Sequence, residues 1–307
     1  MFGGFCNAEK CEKTACLAGA VHSGSGGHGL VHRHSGVCGH LRSEQGQCDG
    51  RDQRGRLHLC DPAGQYAEGR YARNDKDDIL CDYKDTTDVT ITSNGKKTEN
   101  TITVETAKDQ TTDVTLENVH IEVDTAKTKS GAIEIKGDGD TNLELNGDNT
   151  VLVENEWSEE HAAIEKADKN GTGTLTIKDD VNDNGTEKSG TDEDTTGKLL
   201  AGGCHGAAAI GGGGGEFADT SNITITGGEI TASGGSYGAG IGGGSYGAGT
   251  NIRIEGNADV TAFGSSGAAI GAGYQSTRDS DITITDHATV DAASYNGCGI
   301  GQGLGAW

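Results

Sequence analysis

An apolar pattern returns along this chain in three separate columns, and it restricts the possible folds more than any other feature. Residues 222–244, NITITGGEITASGGSYGAGIGGG, show one unit of it. Ile223 and Ile225 alternate with Thr224 and Thr226, a Gly-Gly pair breaks the run, Ile230 and Ala232 resume it, and GAGIGGG closes the unit. Period-two alternation between glycine breaks predicts three short strands and three turns. The first column runs Val89, Val114, Leu143, Leu175, Ile223, Ile252 and Ile282, at spacings of 25, 29, 32, 48, 29 and 30 residues. Ile121, Val151, Ile230, Val260 and Val290 form the second column. The third is Ile133, Ile164, Ile210, Ile241, Ile270 and Ile300, each closing a small-residue motif such as SGAI, HAAI, AAAI or GAAI. No single unit can bury its own apolar face, so the units must stack. A β-sandwich also uses short alternating strands, but it supplies no reason for a third column to keep step. The expectation is an all-β, right-handed parallel β-helix (β-solenoid) of about seven coils over residues 81–307, right-handed because crossover connections take that hand. A loop insertion at about 179–200 accounts for the long spacing. A disordered or misassigned N-terminal segment, residues 1–80, precedes the solenoid.

Two further columns sharpen the pattern. Immediately before the first strand stand Asp88, Asp113, Asn142, Thr174, Asn222, Asn251 and Asp281, six of seven being Asn or Asp. Such side chains predict a hydrogen-bonded ladder at one turn. Two residues before each third-column isoleucine stand Gly131, Ala162, Ala208, Ala239, Ala268 and Cys298, all small, as a packed interior requires. Cys298 reads there as a buried small hydrophobe.

Charge divides the chain in two. Residues 1–80 hold 10 Lys and Arg against 10 Asp and Glu, whereas residues 81–307 hold 14 against 37 and so carry the whole net charge of −23. Nucleic acid and anionic membrane surfaces are disfavoured partners for such a body; cations and neutral polymers are not. Residues 1–81 also hold seven of the nine cysteines and six of the ten histidines. Cys6, Cys11 and Cys16 match no paired zinc knuckle. Neither a secretory signal peptide nor an apolar run of membrane-spanning length is visible. The missing signal peptide fits a misassigned start, and the absence of a polar cap after the final GQGLGAW predicts either a fragment, with further solenoid coils beyond residue 307, or continuation through a partner.

SGAIEIKGDGDTNLELNGDNTVLVEN, HAAIEKADKNGTGTLTIKDD and the tandem NITITGGEITASGGSYGAGIGGGSYGAG resemble the carbohydrate-binding right-handed β-helix repeats of bacterial cell-surface proteins, over about residues 85–307. The resemblance implies an exported, surface-displayed module that binds polysaccharide, in some relatives with calcium. It marks the architecture specifically and a ligand only weakly.

Candidate chemistry is sparse. Asp180, Asn182 and Asn184, followed by Gly185, fit the first half of a calcium loop, with oxygens at alternate positions and a glycine for the tight turn. Thr191 stands where the bidentate Glu is due, although Asp192, Glu193 and Asp194 follow it. Asp138 and Asp140 form a second acidic pair. Calcium is thus the one cofactor expected. Catalysis on this fold would need a basic uronate clamp or paired carboxylates about a sugar bond. Arg253 and Arg278 are the only arginines after residue 80, on outer positions of different coils, and Cys204-His205 lacks a readable third group. An ice-binding threonine face is broken by Glu144 and Arg253. Tyr237, Tyr246, Tyr274 and Tyr295 are the candidate ligand-binding residues. Each stands four or five residues from a third-column isoleucine, over a glycine-rich surface where rings can meet the apolar face of a pyranose. The expected function is a non-enzymatic carbohydrate-binding or adhesion module displayed outside the cell, with a polysaccharide or surface glycan as partner. A structural spacer and a polysaccharide-degrading β-helix enzyme are the alternatives.

Overall fold

The computed structural model describes residues 89–93, 95–154, 160–180 and 197–305, together with short strands at His40–Ser43, Gly50–Arg51, Leu57–His58, Arg73–Asn74 and Asp78–Ile79. From residue 89 onward the chain is an all-β parallel solenoid in which each coil gives one strand to each of three sheets. The first sheet stacks Val89–Thr92, Thr111–Glu117, Asp140–Asn146, Leu175–Lys178, Thr220–Ile225, Gly249–Ile254 and Ile282–Ile284. The second stacks Lys97–Thr98, His120–Asp124, Asp148–Glu154, Lys198–Gly202, Glu229–Ser233, Asp259–Gly264 and Thr289–Ser294. The third stacks Ile102–Glu105, Ile133–Lys136, Ile164–Glu165, Ile210–Gly211, Ile241–Gly242, Ile270–Gly271 and Ile300–Gly301. Among the described residues, seven rungs are thus separated by about six turns. Of the N-terminal segment, His40–Ser43 pairs antiparallel with Val89–Thr92, and Leu57–His58 pairs parallel with Ile102 and Thr103. The expectation of disorder over the rest of residues 1–80 falls outside the described residues.

The third column holds throughout: Ile133, Ile164, Ile210, Ile241, Ile270 and Ile300 are Cα partners from rung to rung, and Ile102 extends the column by one. The other two columns slip by two residues around the insertion. Leu143 pairs with Ile177, not Leu175, which pairs with Thr141. Ile230 pairs with Leu199, and Leu199 with Asn149, so Val151 aligns with Ala201. A two-residue shift returns every side chain to the same face, so period-two alternation cannot register it. The inserted loop is accordingly shorter than the expected 179–200, because Lys198–Gly202 is a strand of the second sheet. Asp179 Oδ2 accepts from Gly197 N at 3.0 Å and ties the two ends of the loop together. Residues 181–196, with Asn182 and Asn184, lie outside the described residues.

The same slip divides the expected ladder. Asn142 Nδ2 donates to Asp113 Oδ1 at 2.7 Å, and Asn251 Nδ2 to Asn222 Oδ1 at 2.7 Å. Between those pairs Asn222 Nδ2 turns to Thr172 O at 2.8 Å, and Thr174 N donates to Asp140 Oδ1 at 2.8 Å. In the small-residue column Ala162, Ala208, Ala239 and Ala268 are fully buried. A Cβ on Gly131 would meet Ala162 O at 2.6 Å. Cys298 departs from the expectation: it is exposed, because no coil among the described residues stacks over its own.

From the fourth rung onward the third-sheet strands contain only an Ile-Gly pair. Gly242, at φ 134°, explains why: an L side chain rarely adopts that backbone, and its Cβ would lie 2.0 Å from Gly271 O. The isoleucine fills the core, and the glycine lets the next coil approach and turns the chain out of the sheet.

Candidate functional site

Because these strands are two residues long, the loops before and after them emerge close together. Tyr237 N donates to His205 O at 2.9 Å, Tyr274 N to Tyr237 O at 2.8 Å and Tyr246 N to Tyr274 O at 2.8 Å, linking loops of three coils. The rings follow the backbone. His205 meets Tyr237 edge-on with centroids 4.8 Å apart, Tyr237 lies 4.9 Å from Tyr274, and Tyr274 lies 6.4 Å from Tyr246. These separations are those of interacting aromatic pairs. Tyr246 is 62% exposed although its φ of 68° is unfavourable for a bulky residue. Glu160 Oε1 holds His205 Nδ1 at 2.8 Å at the foot of this ledge. Three of the four expected tyrosines thus come together; Tyr295, 88% exposed on the last described coil, stands outside the cluster.

An open cavity of about 420 Å³ adjoins the ledge, lined by Arg278, Asn296, Gln302 and Leu304 among others. Gln275 N donates to Leu304 O at 2.9 Å, which fixes the cavity beside Tyr274. Arg278 pairs with Asp219, and Gln302 Nε2 donates to Arg278 O at 3.1 Å. The cavity therefore offers amide and guanidinium donors next to the half-buried Tyr274 ring.

The acidic candidates are spent on the turns. Asp138 Oδ1 accepts from both the backbone N and the hydroxyl of Thr172 at 3.0 Å. The backbone donor first, then the hydroxyl, hold its carboxyl below the usual carboxylate range. Asp140 bonds Thr174 as above. Asp180 Oδ2 lies 3.2 Å from Lys178 Nζ, and Asp180 N donates to Glu144 Oε1 at 2.8 Å. The described residues do not bring these three aspartates into one ligand set. One other set does converge: Glu134, His161 and Glu165, all buried, present ligand atoms within 4.8 Å of one another.

Cys204 and His205 do not form a nucleophilic couple. The Cys204 thiol donates to His161 O at 3.2 Å, and burial pushes it up to about 11, so it stays protonated at neutral pH. His205 turns instead to Glu160. Lys166 is buried, donates to Gly171 O at 3.2 Å and is pushed down by desolvation, against the pull of Asp168 and Asp138.

Sequence reasoning missed His205 as the foot of the ledge, Glu160 as its partner, and the Glu134–His161–Glu165 set. Glu160 meets His205, and Glu134 meets Glu165, across coils, whereas His161 stands four residues before Glu165 on the same coil. A signal was available: the residue after the third-column isoleucine is Glu134, then Glu165, then glycine in every later coil. Compared with known proteins, the chain matches no family model, no curated protein and no solved structure.

Proposed function

We propose that the protein is a non-enzymatic polysaccharide-binding module, displayed outside the cell, that engages glycans along the Tyr237–Tyr274–Tyr246 ledge and the adjoining cavity. The convergence of three rings from three loops, with Tyr246 exposed on a strained backbone, carries the reading. Unfavourable backbone conformations persist where the surroundings enforce them and concentrate at binding sites. Rings present an apolar face to a pyranose, and the Arg278, Asn296 and Gln302 side chains supply hydrogen-bonding groups for its hydroxyls. The net charge of −23 favours neutral glycans, or uronates bridged by calcium. Arg253, one of the two arginines a uronate lyase would recruit, is paired with Glu255 at 2.8 Å, which supports binding over catalysis. Several weak subsites along one polymer would add to a useful avidity.

A glycan array tests this with the wild type and a Tyr246→Ala, Tyr274→Ala double variant, reducing-end release being measured on every hit. Each ring contributes about 0.5–1.5 kcal/mol, so the double variant should bind at least roughly fivefold more weakly. Undiminished binding would discard the ledge, sugar release would restore the enzyme alternative, and no binding by the wild type would favour the structural spacer. In the same assay calcium should strengthen uronate binding and raise the melting temperature by mass action. Asp180→Ala with Asn182→Ala should remove both effects if the inserted loop supplies the ligands.

A further inference from the structure

On the outer face of the third sheet Thr103, Glu134, Glu165, Gly211 and Gly242 stand in register. Glu134 and Glu165 are therefore direct Cα partners on adjacent strands, about 4.8 Å apart. Both are buried, at 5% and 0% exposure. Like charges directly opposite on a sheet repel, and burial removes the water that would screen them. A compensating positive charge is required at this point.

The protein groups present compensate only in part. Lys136 Nζ lies 2.9 Å from Glu134 Oε2, and Thr103 Oγ1 donates to the same oxygen at 3.4 Å. His161, 8% exposed, places Nδ1 2.8 Å from Glu165 Oε2, which also accepts from Ala162 N at 3.2 Å. Glu165 Oε1 has no hydrogen-bond partner although the side chain is completely buried. An unsatisfied buried carboxylate oxygen is costly and stands where a ligand would relieve it. A Cβ on Gly213 would come within 2.9 Å of Glu165 Oε2, so glycine keeps this side of the cluster open.

We propose that Glu134, His161 and Glu165 bind a divalent first-row transition-metal ion, zinc foremost, with two carboxylates and one imidazole as ligands. An imidazole with carboxylates suits zinc or its neighbours, whereas calcium and magnesium take oxygen sets. Ligands about 2.0–2.2 Å from a tetrahedral zinc lie roughly 3.3–3.6 Å from one another. Atoms already within 4.8 Å need only a small adjustment. Ala162 N and Lys136 would remain as outer partners that orient the carboxylates. The ion would staple the second rung to the third and steady residues 160–165, which begin at the Glu160 that holds His205. This inference does not rest on the carbohydrate reading.

The full chain, stripped with a chelator, is titrated with zinc, manganese and calcium by calorimetry and thermal melting, beside Glu165→Gln, Glu134→Gln and His161→Gln. The expected result is one zinc bound at this site and a rise in melting temperature that each variant loses. Affinity should fall by more than the roughly 10- to 100-fold that removing an outer-shell partner costs. Residues 1–81 hold seven cysteines and six histidines that can also take zinc. Cobalt separates the two sources: bound here it shows ligand-field bands that the variants remove, without the thiolate charge-transfer band of cysteine ligation. Zinc uptake unchanged in all three variants overturns the proposal, as does cobalt bound through thiolate alone. No uptake at all also overturns it. Should Glu165→Gln fail to fold, Glu134→Gln carries the comparison, and retention of the wild-type zinc affinity in that variant overturns the proposal.

Discussion

Cys204 and Cys298 show how position on the stack sets a side chain's chemistry. Both occupy tight turns beside the third sheet, but Cys204 is 5% exposed and bonded to His161 O, whereas Cys298 is open to solvent. Alkylation of the folded protein near pH 8 should therefore label Cys298 and spare Cys204, as peptide mass mapping would show; native labelling of Cys204 at a comparable rate would refute its burial. The Cys204 thiol is raised from 9.0 to about 11, chiefly by desolvation, so the fold disfavours its thiolate. Its contribution to stability is complete below about pH 9 and is lost as pH rises through 11. Asp138 works in the opposite direction. Its carboxyl is lowered by the Thr172 donors, so its contribution is present at neutral pH and lost in acid as pH falls through that lowered value.

Within a coil, the third-sheet strand is the element on which the others depend. Ile241 is fully buried between Ile210 and Ile270, whereas Thr224 is half-buried on the first sheet. Ile241→Asp places an unpaired charge in a core only a few side chains wide and should cost about 3–5 kcal/mol. Thr224→Ser should stay within about 0.5 kcal/mol. Equal denaturation midpoints for the two variants would contradict the register of this sheet. Gly242→Ala should destabilise by at least roughly 1–3 kcal/mol from backbone strain alone, since its Cβ also meets Gly271 O at 2.0 Å. A variant as stable as the wild type would show that the Ile-Gly turn tolerates a side chain. Along the first sheet the two-residue slip aligns Glu144 with Lys178, and their ion pair at 3.6 Å breaks the threonine column.

As a whole, the molecule is a stack in which each rung touches mainly its neighbours, so stability accumulates from rung to rung. Its core is continuous, from Ile91 at the first rung to Ile254 and Ile270 near the last. Residues 81–307 carry the entire net charge of −23. Exposed ion pairs such as Lys198–Glu229 are screened by solvent and add little, so net repulsion dominates the electrostatics. Raising the ionic strength from about 0.01 to 0.15 M shortens the screening length from roughly 30 to 8 Å. The melting temperature should rise as a result, and a fall would mean that specific ion pairs outweigh the repulsion. No helix among the described residues is long and apolar enough to cross a membrane.

The sequence alone determined the class of fold, because three apolar columns can be buried together only by stacking. The third column was right to the residue: its isoleucines are fixed by single glycines and alanines that tolerate no shift. The first and second columns were right in face and out of register by two residues at one step each, between Leu143 and Leu175 and between Val151 and Ile230, because alternation has period two and a slip of two leaves it unchanged. The tyrosines were legible as candidates, since aromatic residues are rare and recur beside the glycine motifs. Only the tertiary structure decided that Tyr237, Tyr246 and Tyr274 meet and that Tyr295 does not. The same holds for the foot of the ledge: Glu160 and His205 are brought together across 45 residues. Glu134 likewise joins His161 and Glu165, themselves only four residues apart, when adjacent rungs pair, since strand pairing places residues far apart in sequence about 4.8 Å from one another.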